Sequence, residues 1–292
     1  MLRSLVLIML AVFVLVGCGV SNDSKVAGVV KHSHSFLPEN NLWQEDGFVD
    51  NGMTEEIFNS IIDSVTVYFE PIVQKLGGNL IVERNWDDST VNAYADRSGN
   101  DWQVHMFGGL ARRPEITHDG FAMVLSHESG HHLGGFPFVS DWAANEGEAD
   151  TFAFLSAAKI IWNKSINETA DEATVDPTAK GLCDKYRQQD KAICYRQMNA
   201  AYSLANLLGA LGGTKVSFKT PDKTAVKKTY NEHPAAQCRL DTYVAGTLCD
   251  VAWNNDIIPQ TESEARKQSC FSASSNTYDI KARPRCWFHP SK

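Results

Sequence analysis

The chain has 292 residues, 27 Lys and Arg against 35 Asp and Glu, and a formal net charge of −8. It contains no basic run, which argues against a nucleic-acid binder, since phosphate contacts need clustered cations. A composition 43% hydrophobic and 21% charged is that of an ordinary globular protein, and about 250 mature residues can bury one large core.

Residues 1–17 read as a processing signal rather than a fold element. Arg3 supplies a positive n-region and Leu5 to Val16 an apolar h-region. That run falls short of the about 20 apolar residues of a spanning helix. Leu15-Val16-Gly17-Cys18 resembles a bacterial lipobox. The resemblance implies that Cys18 is lipidated and starts the mature chain; a plain signal peptide or an anchor helix is the alternative. Gly19, rather than Asp, after the cysteine implies release to the outer membrane, facing the periplasm. Residues 18–45 then form the lipidated Cys and a polar, flexible tether. His32 and His34 fall in it and read as solvated linker residues, with a weak, accidental metal site as the alternative.

A peptidase-sized domain is expected over residues 46–250. Apolar residues at Ile57, Ile61, Val65, Phe69 and Ile72 give Met53 to Leu76 a helical period, which Gly77-Gly78 ends. Leu80 to Val82, Val91 to Ala95 and Trp102 to Phe107 are strand candidates. Tyr94 and Trp102 suit either a core or a cleft. Helix, strands and helix in this order predict an α+β fold with a small mixed sheet beside the next helix.

That helix carries His127-Glu128-Ser129-Gly130-His131, an H-E-x-x-H run. Thr117 or Asp119 can cap its start, and Gly134-Gly135 stops it. Imidazoles at i and i+4 leave one face of a helix a turn apart, a spacing that suits two ligands of one tetrahedral zinc. The adjacent Glu128 can reach a water held at the metal. A third histidine ligand six residues on is excluded, because that position is Pro137. The best-placed carboxylate is Glu146, at the start of a second apolar helix running to Trp162. Asp150, one turn later, can fix the tautomer of a ligand histidine, His127 above all. The bland reading of Glu146 and Asp150 is an acidic first turn favoured by the helix dipole.

Further helices are expected over Ile193 to Leu211 and over 235–248, with a Lys- and Thr-rich loop between them. His233-Pro234-Ala235-Ala236-Gln237-Cys238-Arg239 reads H-P-x-x-x-x-R. His233 and Arg239 are candidates to stabilise an oxyanion; taken alone, His233 is a residue before a helix-starting Pro. With Cys18 set aside, Cys183, Cys194, Cys238, Cys249, Cys270 and Cys286 form an even set, which predicts disulfides in an oxidising compartment. Cys183 and Cys194, like Cys238 and Cys249, are eleven apart. On an unbroken helix that is about 16 Å, too far for a disulfide. Either the helix breaks between them or each Cys pairs elsewhere. Residues 251–292 are expected to be an irregular, disulfide-linked tail.

Asn92-Ala93-Tyr94-Ala95, Trp102 to Leu110, the H-E-x-x-H helix, Glu146-x-x-Ala149-Asp150 and His233-Pro234-x-x-x-x-Arg239 follow one another in that order. The series resembles the gluzincin peptidases of the HtpX and CAAX prenyl-protease type and their soluble BepA-like relatives. The resemblance covers residues 55 to 245. It implies a zincin-like core, one catalytic Zn2+ held by His127, His131 and Glu146, and Glu128 as general base. His233 and Arg239 would contact the transition state or block the resting site. The implied substrate is a polypeptide, bound along an edge strand, and the membrane is met only through the lipid anchor. The expected activity is a zinc endopeptidase of the bacterial cell envelope. The rival is an inactive, zinc-stabilised lipoprotein that serves binding or envelope assembly.

Overall fold

The computed structural model describes residues 34–44, 51–163, 172–272 and 278–291, a mixed α+β fold built on a four-stranded sheet. The signal segment, Cys18 and His32 lie outside these residues. The first element is a short strand, β1 (His34–Ser35), and it corrects the tether. His34 to Leu37 are buried, and Phe36 and Leu37 belong to the main core. The apolar pair Phe36-Leu37 supplies the reason, since burying two large side chains outweighs the entropy of a free linker.

Helix α1 (Glu55–Lys75) starts at Thr54, whose hydroxyl accepts the Ile57 N–H at 3.2 Å. Glu55 and Glu56 in its first turn and Lys75 in its last complement the helix dipole. The buried stripe is Phe58, Ile62, Val65, Phe69 and Val73. It is rotated from the expected one, and Ile57, Ile61 and Ile72 lie at its margin. Strands β2 (Asn79–Asn85), β3 (Ala93–Ser98) and β4 (Asp101–Phe107) follow. β3 and β4 form a hairpin through Gly99, whose φ of +60° suits a residue without Cβ. β2 runs parallel to β4, giving the order β1-β3-β4-β2. Trp102, Val104 and Met106 alternate inward on β4, so Trp102 is a core aromatic, and Tyr94 is buried too.

A short α2 (Gly108–Ala111) leads to α3 (His118–Leu133), which Thr117 caps by accepting the Gly120 N–H at 3.0 Å. Every residue from Gly120 to Leu133 is buried. The sequence suggests one apolar side; the structure places α3 at the centre of the fold, covered all round. Asn145 caps α4 (Glu146–Phe152), which continues through a π turn, Ala153–Ala157, into α5 (Ala158–Asn163). The buried Gln197 amide donates to the Phe154 carbonyl at 2.7 Å, satisfying an acceptor within that turn.

The remaining helices are α6 (Pro177–Tyr186), α7 (Lys191–Leu211), α8 (Ala236–Leu248) and the short α9 (Glu262–Ala265). Cys183 pairs with Cys194, Cys238 with Cys286 and Cys249 with Cys270. Both outcomes of the spacing argument occur. Residues between Tyr186 and Lys191 break the helix, so Cys183 and Cys194 face each other across a hairpin at a Cα separation of 5.7 Å. Cys238 and Cys249 flank an unbroken α8 and pair with the tail. Among its described residues the tail is irregular apart from α9, yet it reaches deep: Trp287 is fully buried, and a Cβ on Gly147 would lie 2.2 Å from its ring. No helix among the described residues is long and apolar enough to cross a membrane.

Candidate metal centre

α3 and α4 meet at two residues without side chains to spare. A Cβ on Gly130, inside the H-E-x-x-H run, would lie 2.8 Å from the Ala149 carbonyl oxygen and 2.9 Å from its Cα. The absence of that Cβ lets α4 approach closely enough to bring Glu146 to the two histidines. Glu146 Oε2 is 3.3 Å from His127 Nε2, and Oε1 is 3.6 Å from His131 Nε2. The His127 and His131 ring centroids are 4.8 Å apart.

The other nitrogen of each imidazole is anchored. His127 Nδ1–H donates to Asp150 Oδ1 at 2.7 Å, and His131 Nδ1–H to the Ala144 carbonyl at 2.8 Å. Both bonds turn the Nε2 atom toward Glu146, an arrangement of the kind that orients metal-ligating histidines. His127 Nε2, His131 Nε2, Glu146 Oε2 and both carboxylate oxygens of Glu128 are buried without a hydrogen-bond partner among the described residues. Buried polar atoms left unpaired are costly. Their convergence from two helices fits a divalent cation and a small polar ligand, and a donor set of two imidazoles and one carboxylate suits a borderline ion such as zinc.

The electrostatics agree with the geometry. Burial alone would lower the His127 pKa, but the Asp150 carboxylate outweighs it and raises it to about 9. At His131 burial outweighs the facing Glu146 carboxylate and pushes the pKa down to about 3. Burial would raise the Glu146 carboxyl, yet the facing His131, His127 and His233 hold it below its ordinary value. Burial dominates at Glu128, which rises to about 8. The two neighbouring carboxyls are thus driven apart, Glu146 toward the ionised form and Glu128 toward the protonated one.

Arg239 stands elsewhere than expected. Its guanidinium is fully buried behind Asp150, donating from Nε to Oδ2 and from Nη2 to Oδ1, both at 2.7 Å, and from Nη1 to the Phe36 carbonyl at 2.6 Å. Its donors are engaged by Asp150 and the Phe36 carbonyl. His233 does reach the centre: Nε2–H donates to the Ser35 carbonyl at 2.7 Å and lies 3.6 Å from Glu146 Oε2.

Three features escaped the sequence reading. His34 joins the cluster, with one ligand atom each from His34, His131 and Glu146 lying within 4.8 Å of one another. His132 stacks between Trp102 and Trp142 and donates from Nε2 to the Gln103 carbonyl at 3.2 Å, fastening α3 to β4. Glu148 receives Arg283 of the tail through two bonds of 2.6 Å, both groups being buried. The i, i+4 pattern points to His127 and His131 but carries no signal for a partner supplied by a distant segment. Two concavities elsewhere, of about 480 and 790 Å³, share no residue with the cluster. No family model, no curated protein and no solved structure matches the chain.

Proposed function

We propose that the chain is a zinc-dependent endopeptidase of the gluzincin type, with His127, His131 and Glu146 as ligands and Glu128 as general base. One observation carries this reading: two anchored imidazoles turn unpartnered, buried Nε2 atoms toward Glu146, with an unpartnered Glu128 beside them. The order of helix, strands β2 to β4 of the four-stranded sheet, histidine helix and glutamate helix supports a zincin-like core. A zinc ion held by His127, His131 and Glu146 would supply Lewis acidity toward a peptide carbonyl and a water. The protein's own part is proton transfer and orientation. Glu128 takes the proton from the attacking water and delivers it to the leaving amine. His233, already donating to a peptide carbonyl, stabilises charge on the carbonyl oxygen of the scissile bond. Asp150 and Arg239 hold His127 in place. The cysteine pairs fit an oxidising envelope compartment, and lipidation at Cys18 would anchor the domain there.

A second reading is a zinc-stabilised binding or envelope-assembly lipoprotein without turnover. The near-complete burial of the cluster favours it, since His131 and Glu128 are 0% exposed. Metal analysis and digestion of an unstructured polypeptide such as casein separate the two. One zinc per chain, with cleavage that a chelator abolishes, is expected. Glu128→Gln should keep the zinc and lower the turnover rate by about 10²–10⁴-fold. Undiminished cleavage by that variant, or a chain folded in zinc that holds none, defeats the peptidase assignment.

A further inference from the structure

What covers the centre is the chain's own upstream segment. β1 pairs antiparallel with β3, with His34 opposite Ala95 and Ser35 opposite Tyr94, and the Phe36 N–H donates to the Ala93 carbonyl at 3.1 Å. Each following backbone group is received by a side chain. The Ser35 carbonyl accepts from His233, the Phe36 carbonyl from Arg239, and Leu37 exchanges two bonds with the Asn92 amide, at 2.9 and 3.1 Å. The Phe36 ring lies edge-on to His127 at 5.3 Å. The His34 ring sits 5.1 Å from His131 and 5.0 Å from Trp142. An extended segment read by a sheet edge, one carbonyl held by a polar group of the site and one side chain beside the ligands, is how a peptide is bound by strand addition.

We propose that His34 to Leu37 form a built-in competitive inhibitor: they occupy the β3 edge in place of a substrate peptide, and His34 supplies a fourth ligand to the metal. The proposal rests on the metallopeptidase reading above. Three-ligand sites keep a position for water or substrate, whereas four protein ligands close it. Here His34 places a ring nitrogen within 4.8 Å of ligand atoms of His131 and Glu146, so it competes for the position that a three-ligand site leaves to water or substrate. A substrate must therefore displace β1, and the edge it uncovers selects extended peptides.

The test uses the full chain loaded with Co2+, whose visible spectrum reports coordination independently of turnover. In wild type, a dipeptide hydroxamate should perturb the Co2+ bands only at high concentration. His34→Ala should bind one Co2+, show altered bands, respond to at least tenfold less hydroxamate, and cleave casein at least tenfold faster. Equal bands and equal hydroxamate response in the two proteins, each holding one Co2+, overturn the inhibitor while leaving the metallopeptidase reading intact. A wild-type chain that takes up no Co2+ overturns both. Should His34→Ala fail to fold, hydrogen exchange on wild type decides the matter. Hydroxamate sufficient to shift the bands must speed exchange of the Phe36 amide at least tenfold, and an unchanged rate overturns the proposal.

Discussion

Asp150 is the residue on which the centre turns. One carboxylate oxygen accepts from both His127 Nδ1 and Arg239 Nη2, the other from Arg239 Nε, and all three groups are buried. Burial would raise its pKa, but the Arg239 guanidinium, followed by His127, holds it below the usual carboxylate range. Asp150→Asn keeps the shape, removes the charge and leaves the Arg239 cation buried without its counter-ion. Breaking such a pair costs about 3–5 kcal/mol, and losing the outer-shell partner of a ligand histidine weakens metal binding about 10–100-fold. Chelator competition and chemical denaturation on the same sample measure both; unchanged zinc affinity would show that Asp150 does not act through His127. Asp150 was legible because it sits one helical turn from Glu146. Arg239 was legible only as a cation near the site, since spacing cannot say which way a long side chain turns. His34 was illegible, for a histidine in a polar stretch carries no mark of the strand that will bury it.

The approach of α3 to α4 sets where Glu146 stands relative to His127 and His131, and glycine permits it. α4 cannot retreat from α3, because Gly147 already packs against the Trp287 ring and Glu148 is held by Arg283. In Gly130→Ala the new Cβ meets the backbone of Ala149, which has nowhere to move. Overpacking of this kind costs about 1–3 kcal/mol, and a displaced Glu146 should lower zinc affinity by at least about tenfold. Gly181→Ala is the control. It lies in α6 on an exposed face, a Cβ there meets nothing within 4 Å, and alanine should stabilise the helix by about 0.5–1 kcal/mol with zinc affinity unchanged. Equal zinc affinity in wild type and Gly130→Ala would mean that the close approach is not what places Glu146. At this scale most elements were legible, since α1, β4 and α7 each carry a clear apolar period. β1 was not, because a two-residue strand has no period to read. α3 is buried from Gly120 to Leu133 because a central helix meets protein in every direction.

Across the whole molecule, the cysteine pairs divide the labour between general stability and the centre. Cys183–Cys194 closes a separation of 11 residues within the α6–α7 hairpin, while Cys238–Cys286 closes 48 and joins α8 to the tail. Loop-closure entropy gives the first about 3 kcal/mol and the second about 4 kcal/mol. Their consequences for the proposed metal site differ far more than that. α8 carries Arg239, which holds Asp150; the tail carries Arg283 and Trp287, which brace Glu148 and Gly147 on the helix that presents Glu146. Removing Cys238–Cys286 by paired alanine substitution should therefore loosen α4 as well as destabilise the fold. Zinc affinity should fall by at least about tenfold at a temperature where the protein is still folded. The Cys183 and Cys194 alanine pair should lose stability alone and keep its zinc affinity. Denaturation midpoints and chelator titration of the two double variants measure both quantities side by side. If both pairs weaken zinc binding equally, the tail has no special part in holding Glu146, and the disulfides act only by constraining the unfolded chain.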